Sequence, residues 1–457
     1  MFTDNNNCWA NVNSIAWRSI DIFFTSLGKQ ARTGNLRFFL FYNRRLKMPS
    51  NSSVSRHPII QFRNCRILHQ RQIIRDDLWV RNGEILNPQK LFWEEKGYAD
   101  YQIDCHDAII VPGYIDVQIN GGFGYDFSSE PELVSEGIQK VAQGILSHGV
   151  TSFCPTLITS SPDTYRKIIP QVHKTEGSAE GAGILGIHLE GPFISVEKRG
   201  AHPQHLVHPL SRGTQDLWDV YSNLDDVAIV TLAPELSNAK GVVQELVKRG
   251  ITVSVGHSTA NLCISEESVN AGASFITHLF NAMLPFHHRD PGIVGLLASN
   301  AISRCVYYGI IADGIHTHPA ALRIAYQTHP DGAVLVTDSL SAMGLPPGRH
   351  HLGTQQLDVR DNAAYVAGTN TLSGSIATMS SCVRYLKEAT RCTTVQTIEA
   401  ATLHPAQLLG ITDRKGTLDY GTDADFLFVD DDLNVQRTYI AGEMVWDSKT
   451  GFRNGAS

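Results

Sequence analysis

The sequence predicts an α/β fold: a (β/α)8 TIM-like barrel carrying a small β-sandwich domain built from both flanks of the chain. Three observations lead there. The middle of the chain repeats a buried, β-branched run followed by an amphipathic helical pattern, and eight such units in about 300 residues suit a closed barrel better than an open doubly wound sheet. The two ends read instead as short alternating strands separated by Gly and Asp turns. The polar residues of the middle segment gather at the carboxyl ends of its strands, where the loops of a barrel open.

Taken in order, residues 1–57 differ from the rest, being rich in Asn and Ser, with eight Lys or Arg against Asp4 and Asp21 and no Glu. Such a leader reads as a disordered extension over 1–57 or as an upstream reading of a chain that could start at Met48, ahead of an organelle-targeting peptide over 1–47, which its weak helical amphipathicity disfavours. "IIQFRNCRIL" and "DDLWVRNGEIL" on one flank, and "KGTLDYGTDADFLFVDDDLNVQRTYIAGEMVW" on the other, assign 58–110 and 416–457 to the β-sandwich. The barrel then occupies 111–415, with strands expected near Ile109–Val117, Val150–Thr156, Ile184–Glu190, Val227–Leu232, Ile251–Gly256, Ser274–His278, Val306–Ile311 and Ala333–Thr337. "VSEGIQKVAQGILSHG" and "GVVQELVKRG" have the helical period between them.

A chain that is 42% hydrophobic and 18% charged can bury such a core. Its net charge of -7 argues against a nucleic-acid or anionic-membrane surface, so an anionic ligand must meet a local cluster of positive charge. The eight cysteines are scattered without a CxxC pair, as in a reduced, cytoplasmic protein. No run approaches the roughly 18 apolar residues of a membrane span.

"ILGIHLEGPF" ends a buried strand in His188 and Glu190 before Gly-Pro stops it. Comparable strand ends carry Gln118, Asn120, His257, His278, His316 and Asp338. Adjacent parallel strands bring His257 and His278 together, and two neutral imidazoles with one carboxylate make the three-ligand set of a catalytic zinc-type site. Singly, a strand-end His is more often a hydrogen-bonded core or loop residue and a Glu before Gly-Pro a cap; several at successive mouths are hard to read as independent. Asp338, in "LVTDS", either exchanges a proton with a water and a leaving group or caps the following turn.

The motifs "PGYIDVQINGGFG", "GVTSFCPT", "GIHLEGPFIS", "KRGAHP", "VSVGHS", "THLFNAM", "HHRDPGIVG", "ADGIHTHP", "LVTDS" and "TLSGS" resemble the amidohydrolase superfamily and, within it, the N-acetylglucosamine-6-phosphate deacetylase family, from about Ile60 to Asp447. The resemblance implies metal-dependent hydrolysis of the acetamide of N-acetyl-D-glucosamine 6-phosphate to D-glucosamine 6-phosphate and acetate. It implies Glu190, His257 and His278 as metal ligands, Asp338 as general base and acid, and His202 as the group polarising the acetamido carbonyl. It implies substrate contacts from Ala201, Asn281, Ala282, Asp313, Gly314, Ile315, His316, Leu372, Ser373 and Gly374. Arg289 is implied to bind phosphate, reaching the neighbouring site of a homodimer, and His287, His288 and Arg289 form the compact positive patch an acidic chain needs for a dianion.

Many superfamily members have His-x-His after the first strand and a lysine after the fourth. Here the chain has Gln118-Ile119-Asn120 and "TLAPE". Neutral amides are poor ligands, so one divalent metal per subunit is expected, zinc first, with iron(II), cobalt or manganese also suited to the donor set. Two rivals stay open: an amidohydrolase acting on another N-acyl sugar or a cyclic amide, with no need of Arg289, and a non-catalytic barrel, which would be expected to lose ligands or base. The loop "SLSAMGLPPG" after Asp338 departs from the family pattern and bears on substrate preference.

Overall fold

Parallel strands that are buried on both faces need continuous apolar runs, and the eight runs of the middle segment form such strands. They are β1 (Tyr114–Ile119), β2 (Val150–Ile158), β3 (Ile187–Glu190), β4 (Val227–Leu232), β5 (Thr252–Val255), β6 (Phe275–Ile276), β7 (Tyr307–Ile310) and β8 (Ala333–Leu335). The computed structural model describes residues 57–452 except 303, 353, 354, 362, 370 and 371, so the expectation for the leader lies outside the described residues. Each strand pairs in parallel with the next. Closure comes just beyond the last: Asp338 N–H donates to Gln118 O at 2.8 Å and Asn120 N–H to Ser339 O at 2.8 Å. These two bonds set the end of β1 beside the residues just after β8.

The surrounding helices present apolar stripes at helical spacing. Val134–Gly144 buries Val134, Ile138, Val141 and Ala142, and Ala239–Lys248 buries Ala239, Val242, Val243 and Leu246. Inside the barrel His188 is a satisfied core residue, its ring nitrogens 2.9 Å from Val117 O and 2.7 Å from Thr231 Oγ1. Burial lowers its pKa to about 4.

A four-stranded sheet, with Ile60–Arg63 between Leu78–Arg81 and Tyr101–Asp104, shares a core with a seven-stranded sheet containing Phe426–Val429 and Val435–Ile440. Phe62 packs edge-on to Phe426 and Tyr439. Arg71 reaches the barrel from this side, with Nε and Nη2 each 2.8 Å from a Glu399 carboxylate oxygen.

Three elements differ from expectation. The run Ile109–Val117 is two strands: Ile109–Pro112 joins the seven-stranded sheet, and Tyr114 begins the barrel. The chain crosses at Gly113, where an added Cβ would lie 2.0 Å from Thr151 Oγ1. The run Ile184–Glu190 breaks at Gly186, whose φ of +126° suits glycine, leaving Gly183–Ile184 as a separate short strand on β2. After β8, where the sequence suggests only a variable loop, Gly348–Leu352, Gln355–Arg360, Ala363–Val366 and Leu372–Gly374 form an antiparallel sheet.

Candidate metal centre and active site

Glu190 ends β3, while His257 and His278 stand two residues beyond β5 and β6. All three are buried. His257 and His278 have φ of +48° and +26°, and Asp338 has +48°. Such conformations cost on the order of 1–3 kcal/mol each in a side-chain-bearing residue, so the surrounding loops must hold them. Glu190 Oε1 lies 3.1 Å from Nε2 of both imidazoles, and those two nitrogens are 3.0 Å apart. A tetrahedral zinc with bonds of about 2.0–2.1 Å sets its donors roughly 3.3 Å apart, close to this spacing.

The hydrogen bonds also suit a cation. His257 Nδ1 is 2.9 Å from Lys198 O, which can only accept, so Nδ1 carries the proton and Nε2 keeps its lone pair. Without an ion, burial disfavours a charged imidazole, yet the hydrogen bond and charge of Glu190 prevail and raise His278 to about 9. Burial likewise opposes ionisation of Glu190, but His257 and His278 hold it well below the usual carboxylate range. The buried pocket thus favours positive charge.

His202 competes for the same space: donor atoms of Glu190, His202 and His257 fall within 4.8 Å of one another. Protonation separates it from His278. The backbone N–H of Thr159 donates to His202 Nδ1 at 3.3 Å, with Thr159 Oγ1 at 2.7 Å. An accepting Nδ1 places the ring proton on Nε2, which then has no lone pair for a metal. Burial and the nearby His257 lower its pKa to about 3, making His202 a neutral donor.

Asp338 sits at the barrel mouth with part of its surface open. Its Oδ1 accepts from Asn120 Nδ2 at 2.7 Å and from Gln118 Nε2 at 3.3 Å, while Gln118 Nε2 also donates to Glu190 Oε1 at 2.9 Å. The strand-one amides therefore turn their NH2 groups to the two carboxylates. Enclosure and the Glu190 charge push the Asp338 carboxyl up to about 6. His316 is held by Asp313: its Nδ1 lies 2.6 Å from Asp313 Oδ2, and Oδ1 accepts from the Ile315 and His316 N–H groups, both at 2.8 Å. Burial opposes charge on both, but the pairing raises His316 and lowers Asp313.

Of the remaining expected contacts, Ala201, Leu372 and Ser373 line one cleft of about 960 Å³ with Tyr125, Asp126 and Leu340. Gly374 continues that strand, and Leu340 N–H donates to Ser375 O at 2.9 Å, setting it beside the residues after Asp338. Gly314 lies against the Tyr385 ring at a φ of +75°. Asn281 and Ala282 come soon after His278 and are half-buried. His287, His288 and Arg289 lie on an exposed loop, outside the cluster around Glu190.

Sequence reasoning missed Thr159, Lys198 and Glu235. Thr159 immediately succeeds β2, so the strand-end rule could have found it; Lys198 acts through its carbonyl, which no side-chain pattern reports. Glu235 belongs to "TLAPE", a segment that the sequence marks only by its want of a lysine.

The amidohydrolase family model matches residues 109–445. The chain belongs to the amidohydrolase family. It is 63% identical over 402 residues to a Danio rerio protein named N-acetylglucosamine-6-phosphate deacetylase, covering 87% of this chain and all of that one. It is 59% identical to the Homo sapiens protein of that name, covering 85% and 96%. Among solved structures, the Pasteurella multocida N-acetylglucosamine-6-phosphate deacetylase superposes with a TM-score of 0.74 at 28% identity, covering 84% of this chain and 99% of that one. A variant of the Mycobacterium smegmatis enzyme, solved with N-acetyl-D-glucosamine-6-phosphate, gives 0.70 at 29% identity, covering 85% and 99%. Within its family the chain groups with these deacetylases.

Proposed function

We propose that the protein hydrolyses the acetamide of N-acetyl-D-glucosamine 6-phosphate, releasing D-glucosamine 6-phosphate and acetate. The observation that carries this reading is the convergence, at one barrel mouth, of a cation-favouring Glu190–His257–His278 set, a neutral imidazole donor and a carboxylate whose pKa is raised to about 6.

Glu190, His257 and His278 would hold one divalent ion, zinc first. When bound, such an ion supplies Lewis acidity, which acidifies a water and polarises a carbonyl. Asp338 accepts the proton of the attacking water, positioned for this by Asn120 and Gln118. His202 Nε2–H donates to the carbonyl oxygen as negative charge develops on it. As the C–N bond breaks, Asp338 gives its proton to the sugar nitrogen, which leaves as an amine instead of an unstable anion. The water oxygen ends in acetic acid, whose remaining proton passes to the released amine, so acetate and an ammonium form leave and atoms and charge balance.

Arg289, preceded by His287 and His288, binds the 6-phosphate of the neighbouring subunit's substrate in a homodimer. Its exposed position on a loop outside the central cluster supports that reading. The deacetylase relatives support a role in amino-sugar catabolism, and the seven described cysteines, all free, suit a cytoplasmic setting. Among the described residues no helix is long and apolar enough to cross a membrane. Incubation with N-acetylglucosamine 6-phosphate should release acetate and free amine in equal amounts. Failure of the metal-loaded protein to release either would overturn the assignment.

A further inference from the structure

Glu235 lies three residues beyond β4, in Thr231-Leu232-Ala233-Pro234-Glu235, and the proposed hydrolysis gives it no part. Its carboxylate is spent on a single neighbouring loop. Oε2 accepts from Ser258 Oγ at 2.6 Å, and Oε1 accepts from Thr259 N–H at 2.6 Å and from Thr259 Oγ1 at 3.0 Å. Ser258 and Thr259 are the two residues directly after His257. Ser258 carries the hold further: its Oγ accepts from Ala260 N–H at 2.9 Å, and its own N–H donates to Ala282 O at 3.1 Å. Ala282 belongs to the segment after His278, and Asn281 N–H returns to His278 O at 2.9 Å.

One half-buried carboxylate thus ties together the ends of three successive strands, two of which carry imidazoles of the candidate metal centre. We propose that Glu235 is a positioning residue for that centre, fixing His257 and, through Ser258, the loop of His278. The proposal rests on the reading of Glu190, His257 and His278 as ligands.

The physical need is specific. His257 has a left-handed backbone at φ +48°, which a free loop would relax. From one side it is held by Ser195 N–H donating to His257 O at 2.8 Å and by its own Nδ1–H bond to Lys198 O. From the other side the hold is Glu235, through three charge-assisted bonds, the stronger kind of hydrogen bond. Outer groups that orient metal ligands typically change metal affinity by about 10–100-fold.

The test is zinc affinity, measured by competition with a chromophoric chelator, for wild type, Glu235→Ala, Glu235→Gln and His257→Ala, with the visible spectrum of the cobalt(II)-substituted proteins. Glu235→Ala should bind zinc about 10–100-fold more weakly and show an altered cobalt spectrum. Glu235→Gln should fall between, because its amide oxygen still accepts from Thr259 N–H while its NH2 cannot accept from Ser258 Oγ. Wild-type affinity in Glu235→Ala, beside loss of zinc from His257→Ala, overturns the positioning role. If Glu235→Ala does not fold, wild-type affinity in Glu235→Gln does the same. Wild-type affinity in His257→Ala would instead remove the ligand assignment beneath the proposal.

Discussion

Replacing Asp338 by Asn isolates proton transfer from everything else at the barrel mouth. The two side chains have nearly the same shape, and an Asn oxygen at this position can still accept from Asn120 Nδ2, now 2.7 Å from Asp338 Oδ1. Asp338 is not among the mutually close donor atoms of Glu190, His257 and His278, so metal content should be unchanged. The group proposed to take and return the proton disappears. General acid–base catalysis contributes about 10²–10⁴-fold, or about 2.7–5.4 kcal/mol of barrier at 1.36 kcal/mol per tenfold. Steady-state acetate release, with metal measured on the same protein, should show kcat lowered by that factor at constant occupancy. A kcat within tenfold of wild type would refute the role given to Asp338.

The same geometry has other consequences. Asp338 must be ionised to accept a proton, so kcat/KM should fall as pH drops through its pKa, which stands at about 6 without the ion. A bound cation favours the carboxylate and should move that limb lower; a rate that rises toward acid would contradict this. Stripping the metal should abolish turnover, and zinc at 100 times its Kd should stabilise the fold by about 2.7 kcal/mol, visible as a rise in Tm. Arg289→Ala should raise KM for the phosphorylated sugar with little change in kcat, and mixing it with Asp338→Asn should restore activity if the site is shared between subunits. Gly113→Ala should destabilise by about 1–3 kcal/mol in denaturant unfolding, because its Cβ meets Thr151; shortening Thr151 to Ala should recover part of the loss.

The barrel was legible because its parallel strands are mostly apolar and buried, and its chemistry because the imidazoles and carboxylates of the site stand at or just beyond their ends. Glu190, His257, His278 and Asp338 stand out by that rule, and the structure gathers them at one mouth. The rule has no way to separate His188 from Glu190 two residues later, since strand position, and not residue type, sets His188 against Val117 O and Thr231. Nor could it choose between His202 and His278 as neighbours of Glu190; a backbone N–H from Thr159 makes that choice. The split at Gly113 was hidden because Ile109–Pro112 and Tyr114–Ile119 read as one continuous buried run, and only a close approach to Thr151 reveals where one sheet hands the chain to another. The sheet closed by Leu372–Gly374 was missed for a different reason: "SLSAMGLPPG" has turn composition, and the strands after it are short and mix apolar with polar residues.

The central claim is a single-metal deacetylase selective for a phosphorylated sugar. The most direct measurement is acetate release from N-acetylglucosamine 6-phosphate beside unphosphorylated N-acetylglucosamine, with metal content determined on the same sample. Strong preference for the phosphorylated sugar, with about one metal per chain as the Glu190–His257–His278 set requires, is the predicted result. Equal rates on the two sugars, or two metals per chain, would contradict it.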